Sequence, residues 1–302
     1  MRALFASPPS QRLHNLVPLA WALRSAGHEA QIAAGSADVD AVNRTGLVAV
    51  AADDTDALVE YAGLWNPDVV IWDPCSPAGA VAARSAGVVS VRMRGILDHV
   101  TPAEVEPADA DATVDSTPPT LRTLLASGPQ LPIRYLPYGG PAVVPSWLRR
   151  KPRRPRVYVS LTDAGTISPE LFDALEDLEI EAICAIAVDL VPPETDLPSN
   201  VRLVDPVPLT AILPTCAAVV HDGVALASAA AYGVPQLVLG AGAGRKGTPL
   251  AKQLHHILTD PAPRAEADRL REEISAMPSP RDVVPDLVRL ARRGAGALGR
   301  AS

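Results

Sequence analysis

Aromatic side chains, cysteines and excess positive charge are all scarce in this 302-residue sequence. Phe, Trp and Tyr together make up 4% of the residues, so the core must be filled with Ala, Val and Leu, which suits helices packed closely on a parallel sheet. The net charge of -7 argues against a general nucleic-acid surface, because neutralising a phosphate backbone needs clustered cations. No nucleic-acid partner is therefore expected.

Long apolar segments and metal-binding spacings are also missing. The amino-terminal run MRALFASPPS is too short in its apolar part for a signal peptide or a membrane span. The three cysteines, Cys75, Cys184 and Cys216, are far apart and adjoin apolar runs, and no Cys-x-x-Cys or His-x-x-x-His spacing occurs. We expect buried thiols in a reducing compartment, a cytoplasmic protein without a membrane span, and neither a metal ion nor a cofactor.

The residues that are present indicate an α/β protein. A content of 48% hydrophobic and 20% charged residues is typical of a soluble globular chain, and the length allows two domains of ordinary size. Short apolar runs alternate with segments of helical spacing, which predicts parallel sheets with right-handed crossovers. In the first half, strands are predicted at 2–6, 30–34, 46–50, 69–72 and 88–91, and helices at 16–26 and 78–86.

A basic, proline-rich run, RRKPRRPR at Arg149–Arg156, separates the two halves, and we interpret it as a solvated interdomain linker. The acidic stretch before it, Thr101–Leu131, has little periodic apolar signal and is predicted to be a loop. In the second half, strands are predicted at 157–161, 182–187, 201–203, 217–220 and 236–239, and helices at 169–178, 265–277 and 281–293.

The stretch Cys216–Gly240 predicts a strand, a turn, an Ala-rich helix and a second strand, which together make a βαβ unit. Its turn, His221-Asp222-Gly223, falls between the carboxyl end of a strand and the amino end of a helix. Unpaired backbone N–H groups and the helix dipole favour an anion such as a diphosphate at such a position. The sequence therefore predicts a ligand site here.

Several segments in both halves resemble the GT-B glycosyltransferases that attach activated deoxysugars to natural products in actinobacteria. The matching segments are LVPLAWALRSAGHEA at Leu16–Ala30, LPIRYLPYGGPAVVPSWL at Leu131–Leu148, LPTCAAVVHDG at Leu213–Gly223, GVPQLVL at Gly233–Leu239 and AMPSPRDVVPDLVRLA at Ala276–Ala291. The resemblance implies two Rossmann-like domains facing across a cleft, with the acceptor bound by residues 1–145 and the nucleotide-sugar by residues 146–302. The last helix is a candidate to cross back to the first domain.

The position that the resemblance assigns to the catalytic base holds Arg12, six residues before Pro18. A guanidinium stays protonated in water and cannot take a proton from an acceptor hydroxyl. His14 and Asp98 are the substitute candidates for the base, and Asp73 is a further acidic group near a strand end. A surface role for His14 and a capping role for the two aspartates are the alternative interpretations.

The nucleotide site departs from the family pattern as well. The segment from His221 to Leu226 lacks the family's second glycine and threonine and is about two residues shorter, and Asp222 adds a negative charge beside Gly223. His221 is retained, either to meet a phosphate or to bond to its own neighbours. After the strand predicted at 157–161, the chain has Thr162-Asp163 where the family has Gly-Thr or Gly-Ser.

Two further family features are replaced. The tryptophan that stacks on the nucleotide base in the family is replaced by Pro206, which Val207 follows. The replacement removes a stacking contact typically worth about 1–3 kcal/mol. The acidic residue and glutamine that bind sugar hydroxyls give way to the Gly240–Lys246 loop. With these residues the nucleotide-binding candidates are His221, Asp222, Gly223, Thr162, Pro206 and Val207.

Three functions remain open from the sequence. The first is transfer of a sugar from a dTDP- or UDP-sugar to a small hydrophobic acceptor, with inversion as the resemblance implies. The second is a non-catalytic homologue that pairs with a full-length glycosyltransferase, and a homodimer is also conceivable. The third is a GT-B scaffold with different chemistry. Because Thr101–Leu131 is short for an acceptor-binding region, a small acceptor pocket, or none, is expected.

Overall fold

The computed structural model describes residues 1–7, 12–96, 98, 110–122, 128–162, 167, 169–191, 195–205, 207–223, 225–239 and 250–298. The chain forms two compact units, one of residues 1–141 with 276–302 and one of residues 142–275. No helix in the described ranges is both long and apolar enough to cross a bilayer.

The first unit contains a seven-stranded sheet in which every pair of neighbours is parallel and the order is β3-β2-β1-β4-β5-β6-β7. Its strands are β1 (Arg2–Ala6), β2 (Glu29–Ala34), β3 (Val48–Ala51), β4 (Val69–Trp72), β5 (Val89–Arg94), β6 (Ala112–Asp115) and β7 (Gln130–Pro132). Its helices are α1 (Leu13–Ser25), α2 (Val39–Arg44), α3 (Thr55–Trp65) and α4 (Ala78–Ala86).

Both faces of this sheet are buried, as expected for parallel strands covered by crossover helices. Alternate residues of β1 enter different cores: Ala3 and Phe5 pack in one cluster with α1, and Leu4 and Ala6 pack in the other with α3 and α4. Helix α4 comes very close to the sheet at Gly79, where an added Cβ would lie 2.8 Å from the Cβ of Ala6. The low aromatic content is therefore matched by close packing of small residues.

The second unit contains a five-stranded parallel sheet in the order β10-β9-β8-β11-β12. Its strands are β8 (Arg156–Ser160), β9 (Glu181–Ala185), β10 (Val201–Leu203), β11 (Ala218–His221) and β12 (Gln236–Val238). Its helices are α5 (Pro169–Glu176), α6 (Leu209–Ile212), α7 (Leu226–Tyr232), α8 (Leu250–Thr259) and α9 (Pro261–Ala276). The parallel sheets predicted from the sequence are thus confirmed.

The last helix, α10 (Pro280–Leu298), belongs to the first unit. Val283, Val284 and Leu287 enter the core cluster that α1 forms on the first sheet. The backbone N–H of Arg134 also donates to the carbonyl of Pro278 at 2.7 Å, which ties the approach to this helix to the same unit.

The prediction that Thr101–Leu131 is a loop is wrong for two segments. Residues 112–115 form β6, with all four side chains buried between β5 and β7, and β7 begins at Gln130. The strand was missed because it is only four residues long, alternates apolar and polar side chains, and follows an acidic stretch. Helices α3 and α8 were also not predicted.

Candidate functional site

Ligands of open α/β sheets bind outside the carboxyl ends of the strands, at the point where the strand order reverses. In the first unit this point lies between β1 and β4, and in the second unit it lies between β8 and β11. The candidate residues from the sequence fall in the segments that follow these strands and their neighbours. Each unit therefore has one candidate edge.

In the first unit, Arg12 joins the loops after three adjacent strands. Its Nε donates to Asp73 Oδ2 at 2.9 Å and its Nη2 donates to Asp98 Oδ1 at 2.5 Å. The other carboxylate oxygens accept from backbone N–H groups, that of Asp73 from Cys75 at 2.8 Å and that of Asp98 from Gly95 at 2.7 Å. Both carboxylates are therefore held on both oxygens.

Burial dominates the electrostatics of this cluster. It raises the pKa of Asp73 above its usual range, and the Arg12 guanidinium opposes that rise. Burial also lowers the pKa of Arg12, but the carboxylates of Asp73 and Asp98 more than reverse this, so its pKa lies above its usual value. Arg12 is consequently a permanent cation between two acids, and Asp98 is bonded to it.

His14 lies in the first turn of α1, with its ring edge-on to Tyr138 at 5.5 Å between centroids. Burial lowers its pKa, so the imidazole is neutral at pH 7. No residue in the described ranges forms a hydrogen bond with its ring nitrogens, whereas both candidate carboxylates of this edge are occupied. A neutral imidazole is the form that can accept a proton from a hydroxyl.

In the second unit, His221 is fully buried at the end of β11 and both ring nitrogens have partners inside the protein. Nδ1 accepts from the N–H of Gly223 at 2.9 Å, so Nε2 carries the proton and donates to Gln236 Oε1 at 2.9 Å. Burial lowers the pKa of His221, with Gln236 and Asp222 acting against that shift. The ring thus makes local bonds that link the turn to β12.

Asp222 reaches across to the end of β8. Its Oδ2 accepts from both the N–H of Thr162, at 2.5 Å, and the Thr162 hydroxyl, at 2.8 Å. The carboxylate thus bonds to the backbone donor two residues beyond the end of β8, at the point where the strand order reverses. A phosphate oxygen would have to compete with Asp222 for these donors.

The other predicted nucleotide residues are distributed less simply. Gly223 has a φ of +121° and open space where a Cβ would lie, so a ligand can approach its backbone. The Val207 side chain is buried in the core with Leu148 and Tyr158, and so can offer a ligand its backbone only. Pro206 and the Gly240–Lys246 loop lie outside the described residues, as does most of the segment around Ile96–Thr101.

Sequence reasoning found most of these positions but missed Gln236 and the ion pairs of Arg12. Gln236 was not singled out, although its place at the start of the strand after Gly-Val-Pro puts it beside the His221 strand. The ion pairs of Arg12 were missed as well, because Asp73 and Asp98 follow β4 and β5, whose adjacency depends on the strand order.

Two cavities lie elsewhere in the second unit. One, of about 650 Å³, is lined by residues of α8 and by Asp177. The other, of about 700 Å³, lies at the amino edge of the sheet, where β8, β9 and β10 begin, and is lined by the basic run. There Trp147 contacts the guanidinium groups of Arg156 and Arg202, 5.7 and 4.9 Å from its ring centroid. Part of the basic run therefore packs on the second unit.

Family models match most of this architecture. The model described as erythromycin biosynthesis protein CIII-like, N-terminal domain, matches residues 53–102 and 97–162. The model of the C-terminal domain of the same family matches residues 169–248. The matched segments cover more than half of the chain. The protein belongs to the erythromycin biosynthesis protein CIII-like family.

Individual proteins are similar over nearly the whole chain. The 10-deoxymethynolide desosaminyltransferase of Streptomyces venezuelae is 30% identical, with 92% of this chain and 94% of that protein covered. The solved glycosyltransferase VinC in complex with dTDP is 30% identical, with a TM-score of 0.84 over 97% of this chain and 100% of that one. The glycosyltransferase SnogD from Streptomyces nogalater is 29% identical, with a TM-score of 0.81 over 96% and 99%.

These likenesses confirm the GT-B fold that the sequence resemblance implied. The chain is nevertheless shorter than its relative. The alignment with the desosaminyltransferase runs over 402 positions, which is 100 more than the 302 residues of this chain, so at least that many positions have no counterpart here. Internal segments of the desosaminyltransferase therefore have no counterpart in this chain, which still forms both sheets.

Proposed function

We propose that this protein is a glycosyltransferase that transfers a sugar from a dTDP- or UDP-sugar to a small hydrophobic acceptor. The observation that carries the proposal is the likeness of both units to a glycosyltransferase solved with dTDP, at 30% identity and a TM-score of 0.84. The first unit then receives the acceptor and the second unit the nucleotide-sugar. The cytoplasmic location is part of this proposal, supported by three cysteines that are all free thiols. Cys184 and Cys216 are buried as predicted, whereas the prediction of a buried thiol is wrong for Cys75, which is exposed.

His14 is the base in this proposal, because its neutral imidazole has no hydrogen-bond partner in the described ranges and it lies at the carboxyl edge of the first sheet. The ring takes the proton of the acceptor hydroxyl, whose oxygen attacks the anomeric carbon of the sugar. The bond from that carbon to the diphosphate breaks on the opposite face, and the nucleoside diphosphate leaves with the electron pair. Asp98 remains the second candidate base, but it must first release Arg12.

The nucleotide site requires one rearrangement in this proposal. The N–H and hydroxyl of Thr162 lie just beyond β8, beside the point where the strand order reverses, and Asp222 occupies both. A diphosphate must displace that carboxylate to reach them. Gly223 allows the approach, since no atom lies within 4 Å of its Cβ position.

Calorimetric titration of the purified protein with dTDP and UDP tests the proposal. Binding in the micromolar range, with a competent dTDP- or UDP-sugar then consumed in the presence of a polycyclic acceptor, supports it. Absence of binding at millimolar nucleotide overturns it. An Arg12→His variant in the same assay shows whether a base at that position raises the rate of transfer.

A second function, that of a non-catalytic partner of a full-length glycosyltransferase, is the alternative. The edges expected to hold the base and the diphosphate are both closed by internal bonds, Arg12 to two carboxylates and Asp222 to Thr162. Pairing with a full-length transferase, or with a second copy of this chain, belongs to this alternative. Light scattering of the protein alone and mixed with such a transferase measures both kinds of assembly.

A further inference from the structure

Strand β5 carries two arginines on one face at the carboxyl edge of the first sheet. Side chains of a strand alternate between faces, and Val91 and Met93 enter the core cluster beneath α1. Arg92 and Arg94 therefore share the opposite face. Arg94 is the last residue of the strand and lies in register with Asp115 of β6.

Arg94 is buried, with 8% of its surface exposed, yet no side chain or carbonyl in the described ranges accepts a hydrogen bond from its guanidinium. The carboxylates around it are engaged elsewhere. Asp115 accepts from the N–H of Thr117 at 2.9 Å and lies 3.5 Å from Arg122 Nε. Asp98 is held by Arg12 and by the N–H of its own loop.

The Arg94 guanidinium is not sealed from water, because none of its nitrogens is both shielded from solvent and unbonded. It stays charged, and its five N–H donors are open to an acceptor that arrives from solvent. The planar group of donors matches one partner better than others, since a carboxylate can accept two parallel hydrogen bonds from it. The small exposed fraction of Arg94 gives such a group access from solvent.

The position of Arg94 gives this anion site a function. Strand β5 pairs with β4, and the loops after these strands carry Asp98 and Asp73, the two partners of Arg12. A carboxylate on Arg94 would thus belong to a molecule bound at the same edge as the candidate base. We propose that Arg94 binds a carboxylate of the acceptor, so that the acceptor is a hydrophobic molecule bearing a carboxylic acid. This inference rests on the proposed transferase function.

The test compares two probes that differ only in charge, sodium 2-naphthoate and 2-naphthamide, titrated calorimetrically against the full chain. The acid is expected to bind at least tenfold more tightly than the amide. Arg94→Gln should abolish that preference and Arg94→Lys should keep part of it, because the ammonium retains the charge but not the planar pair of donors. Arg84→Gln removes an exposed arginine of the same unit and should leave the preference unchanged.

Thermal unfolding without a probe shows whether Arg94 has a structural role instead. If the guanidinium awaits a ligand, Arg94→Met removes a charge that has no acceptor in the described ranges, and the unfolding midpoint should stay the same or rise. A lowered midpoint together with equal binding of acid and amide would mean that carboxylates of the chain itself hold Arg94. That result would overturn the inference.

The two proposals fail in different ways. Discrimination between the naphthalene probes needs no sugar nucleotide, so it can be present in a protein that never transfers sugar. In that case the carboxylate site stands and the transferase function falls. Transfer to an acceptor that carries a carboxylate, at a rate that Arg94→Gln does not change, would instead sink the carboxylate site and leave the transferase function intact.

Discussion

Arg12 shows how one side chain can decide the chemistry of an edge. A histidine at this position could exchange a proton with a hydroxyl, whereas the arginine is a fixed charge between two buried acids. Its removal should therefore cost stability more than activity, since it leaves Asp73 and Asp98 without their cation. Loss of one partner of a buried ion pair typically costs about 3–5 kcal/mol.

We predict that Arg12→Leu lowers the free energy of unfolding by about that amount at pH 7.5, and by less at pH 5. Burial raises the folded-state pKa of Asp73 above its unfolded value, so the folded protein takes up a proton first as the pH falls. The ionised Asp73 carboxylate therefore destabilises the folded protein most at pH values above its raised pKa. This destabilisation is relieved as the pH falls from the folded-state pKa towards the unfolded-state pKa. Urea titrations of both proteins at the two pH values measure it, and a deficit that grows on acidification would contradict the account.

Asp222 gives the second prediction at this scale. Replacing it with alanine frees the N–H and hydroxyl of Thr162 and removes a negative charge. The affinity for dTDP should rise at least tenfold, because a charge-assisted hydrogen bond no longer has to be displaced, a change of about 1.4 kcal/mol or more. Asp196→Ala, which removes an exposed carboxylate of the same unit, is the matched control in the calorimetric titration. Equal affinities of all three proteins would rule out competition by Asp222.

Positions of the candidate site were predictable, but their pairings were not. Asp98 can be found from its residue type and the nearby strand end, and Arg12 and His14 from the position that the family resemblance assigns to the base. Arg12 bonds to partners 61 and 86 residues away, however, and those contacts exist only because β1, β4 and β5 are adjacent. His221 was likewise identifiable, whereas its bond to Gln236 depends on the register between β11 and β12.

At the scale of elements, helix α4 shows why small residues matter in this fold. A methyl group at Gly79 would fall within contact of Trp72 and Ala6 on the underlying sheet. Gly79→Ala should thus destabilise the protein by about 1–3 kcal/mol through overpacking. Gly63 on α3 has nothing within 4 Å of its Cβ position, and Gly63→Ala should stabilise by about 0.5–1 kcal/mol. Chemical unfolding of the pair checks the opposite signs.

Elements with long apolar runs were predicted best. β1 and β4 match their predicted bounds because burial on both faces leaves a continuous apolar signal. Helix α4 matches because Gly87, in the left-handed conformation, ends it. Strand β6 lacked that signal, since the polar residues Thr113 and Asp115 interrupt its apolar run. These two side chains are buried because β6 lies between β5 and β7. The sequence does contain a start signal for helix α3, which was not predicted. Asp54 is its N-cap and accepts a hydrogen bond from the N–H of Ala57.

At the scale of the whole molecule, α10 completes the first unit. Leu287 is fully buried in its core, so Leu287→Ala should lower the free energy of unfolding by about 2–5 kcal/mol. Arg289 on the exposed side of the same helix pairs only with Asp286, and Arg289→Ala should change it by at most about 1 kcal/mol. Urea unfolding followed by circular dichroism measures both, and similar losses in the two variants would show that α10 is not part of the core.

The interrupted first unit has a consequence for synthesis. Its first 141 residues leave the ribosome well before residues 276–302, because the whole second unit is translated between them. At common translation rates the delay is on the order of ten seconds. During that time the apolar surface that Val283, Val284 and Leu287 later cover is exposed on the nascent chain. We expect chaperones to bind this exposed hydrophobic surface.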